Sequence, residues 1–186
     1  DSISIAYTLP VRELLKGIAN VHRPPVNCAS TKHGIKGIED WLGKNKWDVI
    51  HFNWGLHDLK YMGPNGENLV DPNSESSSQQ VPIKNYTNNL IWLVERMKET
   101  GAKLIWRNTT PVPEGAKGRV VGDSENYNNA AMEVMSKYSI ETNDLYNFAK
   151  NNWGRVGREA DVHFTPKGSK ELAKLVANSI EKHLKN

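Results

Sequence analysis

Three side chains of this sequence could together activate a nucleophile: Ser2 at one end of the chain, His163 near the other, and Asp161 two residues before that histidine. A serine hydroxyl becomes an attacking group when an imidazole takes its proton and a carboxylate holds the imidazole in place. In extended chain, side chains two apart lie on the same side, so Asp161 can reach the His163 ring. Glu159, four residues before the histidine, and a backbone carbonyl are the alternatives for that orienting role. Ser2 stands just before a helix, at a strand-to-helix turn where free amides favour developing negative charge. A second cluster, Gly55-Leu56-His57-Asp58, follows an apolar run. Gly55 permits close approach of backbone to a ligand, and the His57 imidazole offers an N–H in either charge state. Each piece alone has a plainer explanation: a mobile terminal serine, a loop histidine, a solvated Asp–His pair. Their conjunction gives them weight.

These groups need a frame. Apolar helical periodicity alternates with short apolar runs, the pattern of an α/β domain with a parallel sheet. Helices are expected over residues 8–19 (Thr8 as cap, Pro10 in the first turn), 34–42, 84–100, 124–137 and 165–184. Extended segments are expected near 20–23, over 47–53 and 102–108, and around 139–143. Residues 61–82 and 109–122, rich in Gly, Pro and polar residues, read as long loops. No repeat or linker divides the chain, so residues 1–186 form one domain. The expected architecture is a three-layer α/β/α sandwich around a central parallel sheet, flavodoxin-like. If its first strand lies upstream of Asp1, the chain lacks its central strand. Ligands in such sheets bind at the carboxyl ends of the strands. Ser2, Ala29, His57 and the loop from Thr109 fall there, and His163 lies in a loop before the last helix.

Composition removes several classes. The 24 basic and 21 acidic side chains nearly cancel, and the basic ones are scattered, so no nucleic-acid footprint appears. A single cysteine, Cys28, excludes an intrachain disulfide and any Cys-rich metal site. No apolar run reaches the roughly 18 residues of a membrane span. No Gly-rich phosphate loop suggests a nucleotide. No metal or organic cofactor is expected, and oligomeric state stays open. A secreted or periplasmic setting is favoured, with any leader lying outside the given chain.

Taken together, the motifs resemble the GDSL/SGNH hydrolase family over essentially the whole chain. DSIS matches its Gly-Asp-Ser block apart from the glycine. Asn27-Cys28-Ala29-Ser30-Thr31 occupies the second block, with Ala29 at the glycine. Gly55-Leu56-His57-Asp58 corresponds to Gly-x-Asn-Asp, and Asp161-Val162-His163 to Asp-x-x-His. The resemblance, closest to a subgroup with GLHD and DVHF, implies Ser2 as nucleophile, His163 as base and Asp161 as third member. The oxyanion hole it implies comprises the backbone N–H of Ser2 and Ala29 and the side chain of His57, with Gly55 and Asp58 in support. Three departures stand out: alanine at 29, histidine at 57, and an acid two rather than three residues before the base. The implied substrate is a small-molecule or carbohydrate ester, with small acyl groups such as acetyl. Trp54, Trp106 and Trp153 are candidate stacking surfaces for sugar rings. A catalytically silent carbohydrate-binding protein on the same fold, or an acyltransferase, is the alternative.

Overall fold

The computed structural model describes residues 1–185. Helix α1 spans Ser2–Leu14 and starts where Asp1 caps it, its Oδ1 accepting from the Ser4 N–H at 3.2 Å. The cap starts the helix six residues earlier than the expected 8–19. Thr8 lies inside it, its hydroxyl donating to the Ser4 carbonyl at 2.5 Å, and Pro10 sits in mid-helix instead of the first turn. Ile3, Tyr7 and Val11, four apart, form the buried stripe. Residues 20–23 join no sheet. Helix α2 covers Thr31–Leu42 and leads into strand β1, Val49–Phe52.

The polar stretch 61–82 has some structure of its own. Strands β2 (Tyr61–Met62) and β3 (Ser78–Gln79) pair antiparallel inside it. Helix α3 (Ile83–Lys98), strand β4 (Lys103–Arg107), helix α4 (Asp123–Lys137) and strand β5 (Glu141–Asn143) follow close to the expected limits.

Two features differ from expectation. Helix α5, Leu145–Val156, has no forerunner among the expected helices, because Asn, Gly and aromatic residues give it poor intrinsic propensity. Asp144 caps it, accepting from the Asn147 N–H at 3.0 Å, and Leu145, Tyr146, Ala149 and Val156 bury one face. The segment expected as a loop around His163 is a hairpin of β6 (Gly157–Arg158) and β7 (Asp161–Phe164). Helix α6, Pro166–Lys185, closes the chain; Thr165 caps it, its hydroxyl accepting from the Gly168 N–H at 3.0 Å.

The central sheet is parallel in the order β1-β4-β5. Helices α1 and α5 pack on α6 over one face, and α2 and α4 pack on α3 over the other, giving the three layers. Trp106, Leu90, Leu93, Tyr127 and Leu172 fill the core between them, each with no exposed surface. No strand among the described residues pairs with the outer edge of β1. That edge borders a groove of about 420 Å³ lined by Tyr7, Val11, Val21, Ile50 and Val176 among others.

Candidate active site

The chain ends meet. Ser2 Oγ lies 2.8 Å from His163 Nε2, and His163 Nδ1 lies 2.5 Å from Asp161 Oδ1. With Nδ1–H donated to the carboxylate, the Nε2 lone pair faces the serine hydroxyl, an assignment fixed by the partners. Asp161 also accepts from the His163 backbone N–H at 3.1 Å, so one carboxylate holds both ring and chain.

The hairpin explains this order. Along β7, Val162 and Phe164 turn into the core with 4% exposure each, while Asp161 and His163 face outward on the same side. Burial raises the Asp161 pKa, but hydrogen bonds from the His163 side chain and backbone outweigh it and hold the carboxyl below its ordinary value. Glu159, the alternative acid, is exposed at the hairpin turn and makes no hydrogen bond to His163.

Ser2 is the first residue of α1, and its backbone N–H has no acceptor among the described residues. A network missed at the sequence level holds this helix start. The buried Asp1 carboxylate lies 3.6 Å from the Arg107 guanidinium at the end of β4, and Arg107 donates to Asn53 Oδ1 just beyond β1. Asn53 in turn donates to the Arg107 carbonyl at 2.7 Å. The only sequence signal is a charged residue ending an apolar strand, which reads equally well as a solvated end.

Gly55 has φ +156°, and a Cβ there would sit 2.1 Å from Thr109 Oγ1, so no larger residue fits. The turn it starts carries His57 to the cavity and Asp58 inward. Asp58 Oδ1 accepts from the Thr31 N–H at 2.8 Å and the Thr31 hydroxyl at 2.5 Å, tying the turn to the start of α2. Its other oxygen is buried with no partner. Burial pushes the Asp58 carboxyl up to about 7, against the opposing pull of the Thr31 hydrogen bonds.

His57 makes no side-chain hydrogen bond among the described residues and lines a cavity of about 490 Å³ shared with Ser2 and His163. Burial first, then the nearby Lys60 and other positive groups, hold its pKa at about 3, so the ring is neutral near pH 7 and keeps one N–H to donate.

Ala29 is less simply placed. Its φ is +44°, the left-handed region where glycine is most at ease, and its N–H is donated to Asn27 Oδ1 at 3.0 Å. The three tryptophans do not serve as sugar platforms here. Trp54 and Trp106 are buried, Trp153 packs edge-on against Phe164, and none lines this cavity. No group of three or more His, Cys, Asp or Glu side chains that could hold a metal ion occurs among the described residues, and no described helix is long and apolar enough to cross a membrane.

The GDSL-like Lipase/Acylhydrolase family model matches residues 14–176. The chain belongs to this family. It is an ester-bond hydrolase acting through a serine. The matched span includes the GLHD turn and the β6–β7 hairpin but begins after Ser2, so geometry ties Ser2 to the site. Solved structures share the fold at low identity. An acetyl xylan esterase, AlAXEase, superposes with TM-score 0.73 at 16% identity, covering 97% of this chain and 96% of its own. An acetylxylan esterase from Geobacillus stearothermophilus gives 0.74 at 15%, covering 94% and 80%. A lipase/acylhydrolase from Enterococcus faecalis gives 0.70 at 15%, covering 96% and 86%. Comparison of the sequence with curated proteins gives no match.

Proposed function

We propose that the hydrolase cleaves small acyl esters, acetyl groups on carbohydrates foremost, through an acyl-serine intermediate formed on Ser2. The observation that carries this reading is the relay Ser2–His163–Asp161, with contacts of 2.8 and 2.5 Å. His163 Nε2 takes the hydroxyl proton as Ser2 Oγ attacks the ester carbonyl, and Asp161 stabilises the imidazolium. The tetrahedral oxyanion lies against the free Ser2 N–H and the neutral His57 ring. Ala29 N–H joins them once Asn27 Oδ1 releases it. Collapse expels the alkoxide, which takes the proton from His163; water then repeats the cycle and frees the acid and Ser2.

Two further considerations support the small-acyl, carbohydrate reading. Polar and charged residues are interleaved around the cavity with short aliphatic ones, Leu56, Leu69, Ala116, Ala160 and Val162, a lining that suits a small acyl group on a polar carrier. Two of the folds it resembles belong to proteins described as acetylxylan esterases. GLHD and DVHF mark, in this reading, a subgroup in which histidine takes over an oxyanion donor.

The decisive experiment is acetate release from acetylated xylo-oligosaccharides by wild type and Ser2→Ala. Ser2→Ala is expected to fold and to lose activity together with labelling by a fluorophosphonate. Retained activity would remove Ser2 from the mechanism. Release of acetate only when an acceptor sugar is present, with equal acetate found on that sugar, would make the protein a transferase.

A further inference from the structure

Two cationic side chains line the cavity with Ser2 and form no ion pair within 4.0 Å among the described residues, Asp58 and Asp161 acting on Lys60 and Arg119 only from farther away. Lys60, two residues after the GLHD turn, is 9% exposed, lines the cavity, and makes no side-chain hydrogen bond or ion pair among the described residues. Arg119, from the loop before α4, lines the same cavity. Its Nε donates to the Leu56 carbonyl at 3.1 Å and its Nη1 to the Lys117 carbonyl at 3.4 Å, and no described carboxylate lies within 4.0 Å of it. Lys117 is exposed at the same cavity. The nearby acids are already committed. Asp161 is engaged by His163, and Asp58 faces Thr31 at the base of the turn.

Keeping two partly desolvated cations side by side without a paired anion is unfavourable. Burial, followed by the neighbouring Arg119, lowers the Lys60 pKa, against a smaller opposing pull from Asp58. Such an arrangement becomes favourable when a ligand brings the missing charge. Arg119 is held through backbone carbonyls at two of its nitrogens, so its planar fork is oriented before the ligand arrives.

We infer that the cavity selects esters carrying a fixed oxyanion, with Lys60 and Arg119 binding a carboxylate or sulfate on the sugar that bears the acyl group. The inference rests on the esterase reading of the same site and names its substrate class: acylated acidic sugars, uronates first.

The test compares acetate release from an O-acetylated methyl glucuronide and the matching O-acetylated methyl glucoside, with the glucoside 6-sulfate separating sulfate from carboxylate. Wild type is expected to favour the anionic sugars by at least about tenfold in kcat/KM, the scale of one charge-assisted hydrogen bond. About 1 M salt should compress the preference. The ratio should fall towards one in Lys60→Gln and recover in Lys60→Arg, and Arg119→Gln should lower it likewise. A wild-type ratio near one, or a ratio that Lys60→Gln leaves intact, overturns the inference. Should neither sugar release acetate and Ser2 resist the fluorophosphonate, the esterase reading fails instead. Calorimetry with glucuronate and glucose then decides the anion site by itself. Binding of glucuronate alone, lost in Lys60→Gln, upholds it, and equal or absent binding of both refutes it.

Discussion

Replacing Asp58 by asparagine should change how stability depends on pH, and the size of the change follows from the site. The carboxyl has no exposed surface, and its pKa rises from 3.8 in the free state to about 7 in the fold. That is a difference of about 3 units, each worth about 1.36 kcal/mol. Between these values the unfolded chain has lost the proton and the folded protein retains it. The folded state therefore binds more protons, and stability falls as pH rises through this window. Below about pH 4 both states are protonated; above about pH 7 both are ionised and the full cost, on the order of 4 kcal/mol, is present. The asparagine amide would keep an oxygen for the Thr31 N–H and hydroxyl and would carry no charge at any pH. Urea unfolding of wild type and Asp58→Asn from about pH 4 to about pH 8 should show similar stability at the acid end. The variant should become the more stable protein towards the alkaline end. Curves that stay parallel across the range would show that the buried carboxylate is not held against its own desolvation, and the argument would fail.

Asp161→Asn should lower kcat by up to about 10⁴-fold, the scale seen when a triad carboxylate no longer fixes the tautomer, while Glu159→Gln should leave turnover within about twofold; the reverse pattern in ester hydrolysis would reassign the acid. His57→Ala should cost about 100- to 1000-fold in kcat, as for loss of one oxyanion donor. Because His57 has its pKa at about 3, the wild-type pH–rate profile should show no inflection from it between about pH 5 and about pH 8; an inflection in that range that disappears in His57→Ala would refute the neutral-donor role. Arg107→Leu leaves the Asp1 carboxylate buried without its partner and should destabilise the fold by roughly 3–5 kcal/mol in urea unfolding.

Much of this arrangement is legible in the sequence, and the parts that are not share a cause. Strands β1 and β4 and helices α2, α3, α4 and α6 announce themselves because each carries an apolar run or stripe, the quantity that periodicity measures, and the polar β5 follows from its place after α4. Helix α5 does not, since residues 145–156 contain three asparagines and a glycine, and tertiary burial of Leu145, Tyr146, Ala149 and Val156 overrides propensity. The start of α1 is expected too late because Pro10 reads as a first-turn residue, whereas the Asp1 cap decides where the helix begins. Lys60, Arg107 and Arg119 are invisible for a different reason. Nothing in a sequence distinguishes a cation in water from one held within the fold, as Arg107 is beside Asp1 and as Lys60 and Arg119 are at the cavity.

In the proposed relay, the acid two residues before the base shows how local geometry governs a motif. An Asp-x-x-His spacing suits a turn or helix, where side chains three apart share a face; an Asp-x-His spacing suits a strand, where side chains two apart do. This protein meets its shorter spacing with an ordered strand. Phe164 pairs back to Gly157 across the hairpin, and Ala160 takes the turn at φ +51°. Val162, between acid and base, fixes the face on which both stand by burying its own side chain. The shifted acid, the β6–β7 hairpin and the buried valine are therefore one structural solution. A chain with Asp161 but without the hairpin would carry the motif and lack the relay.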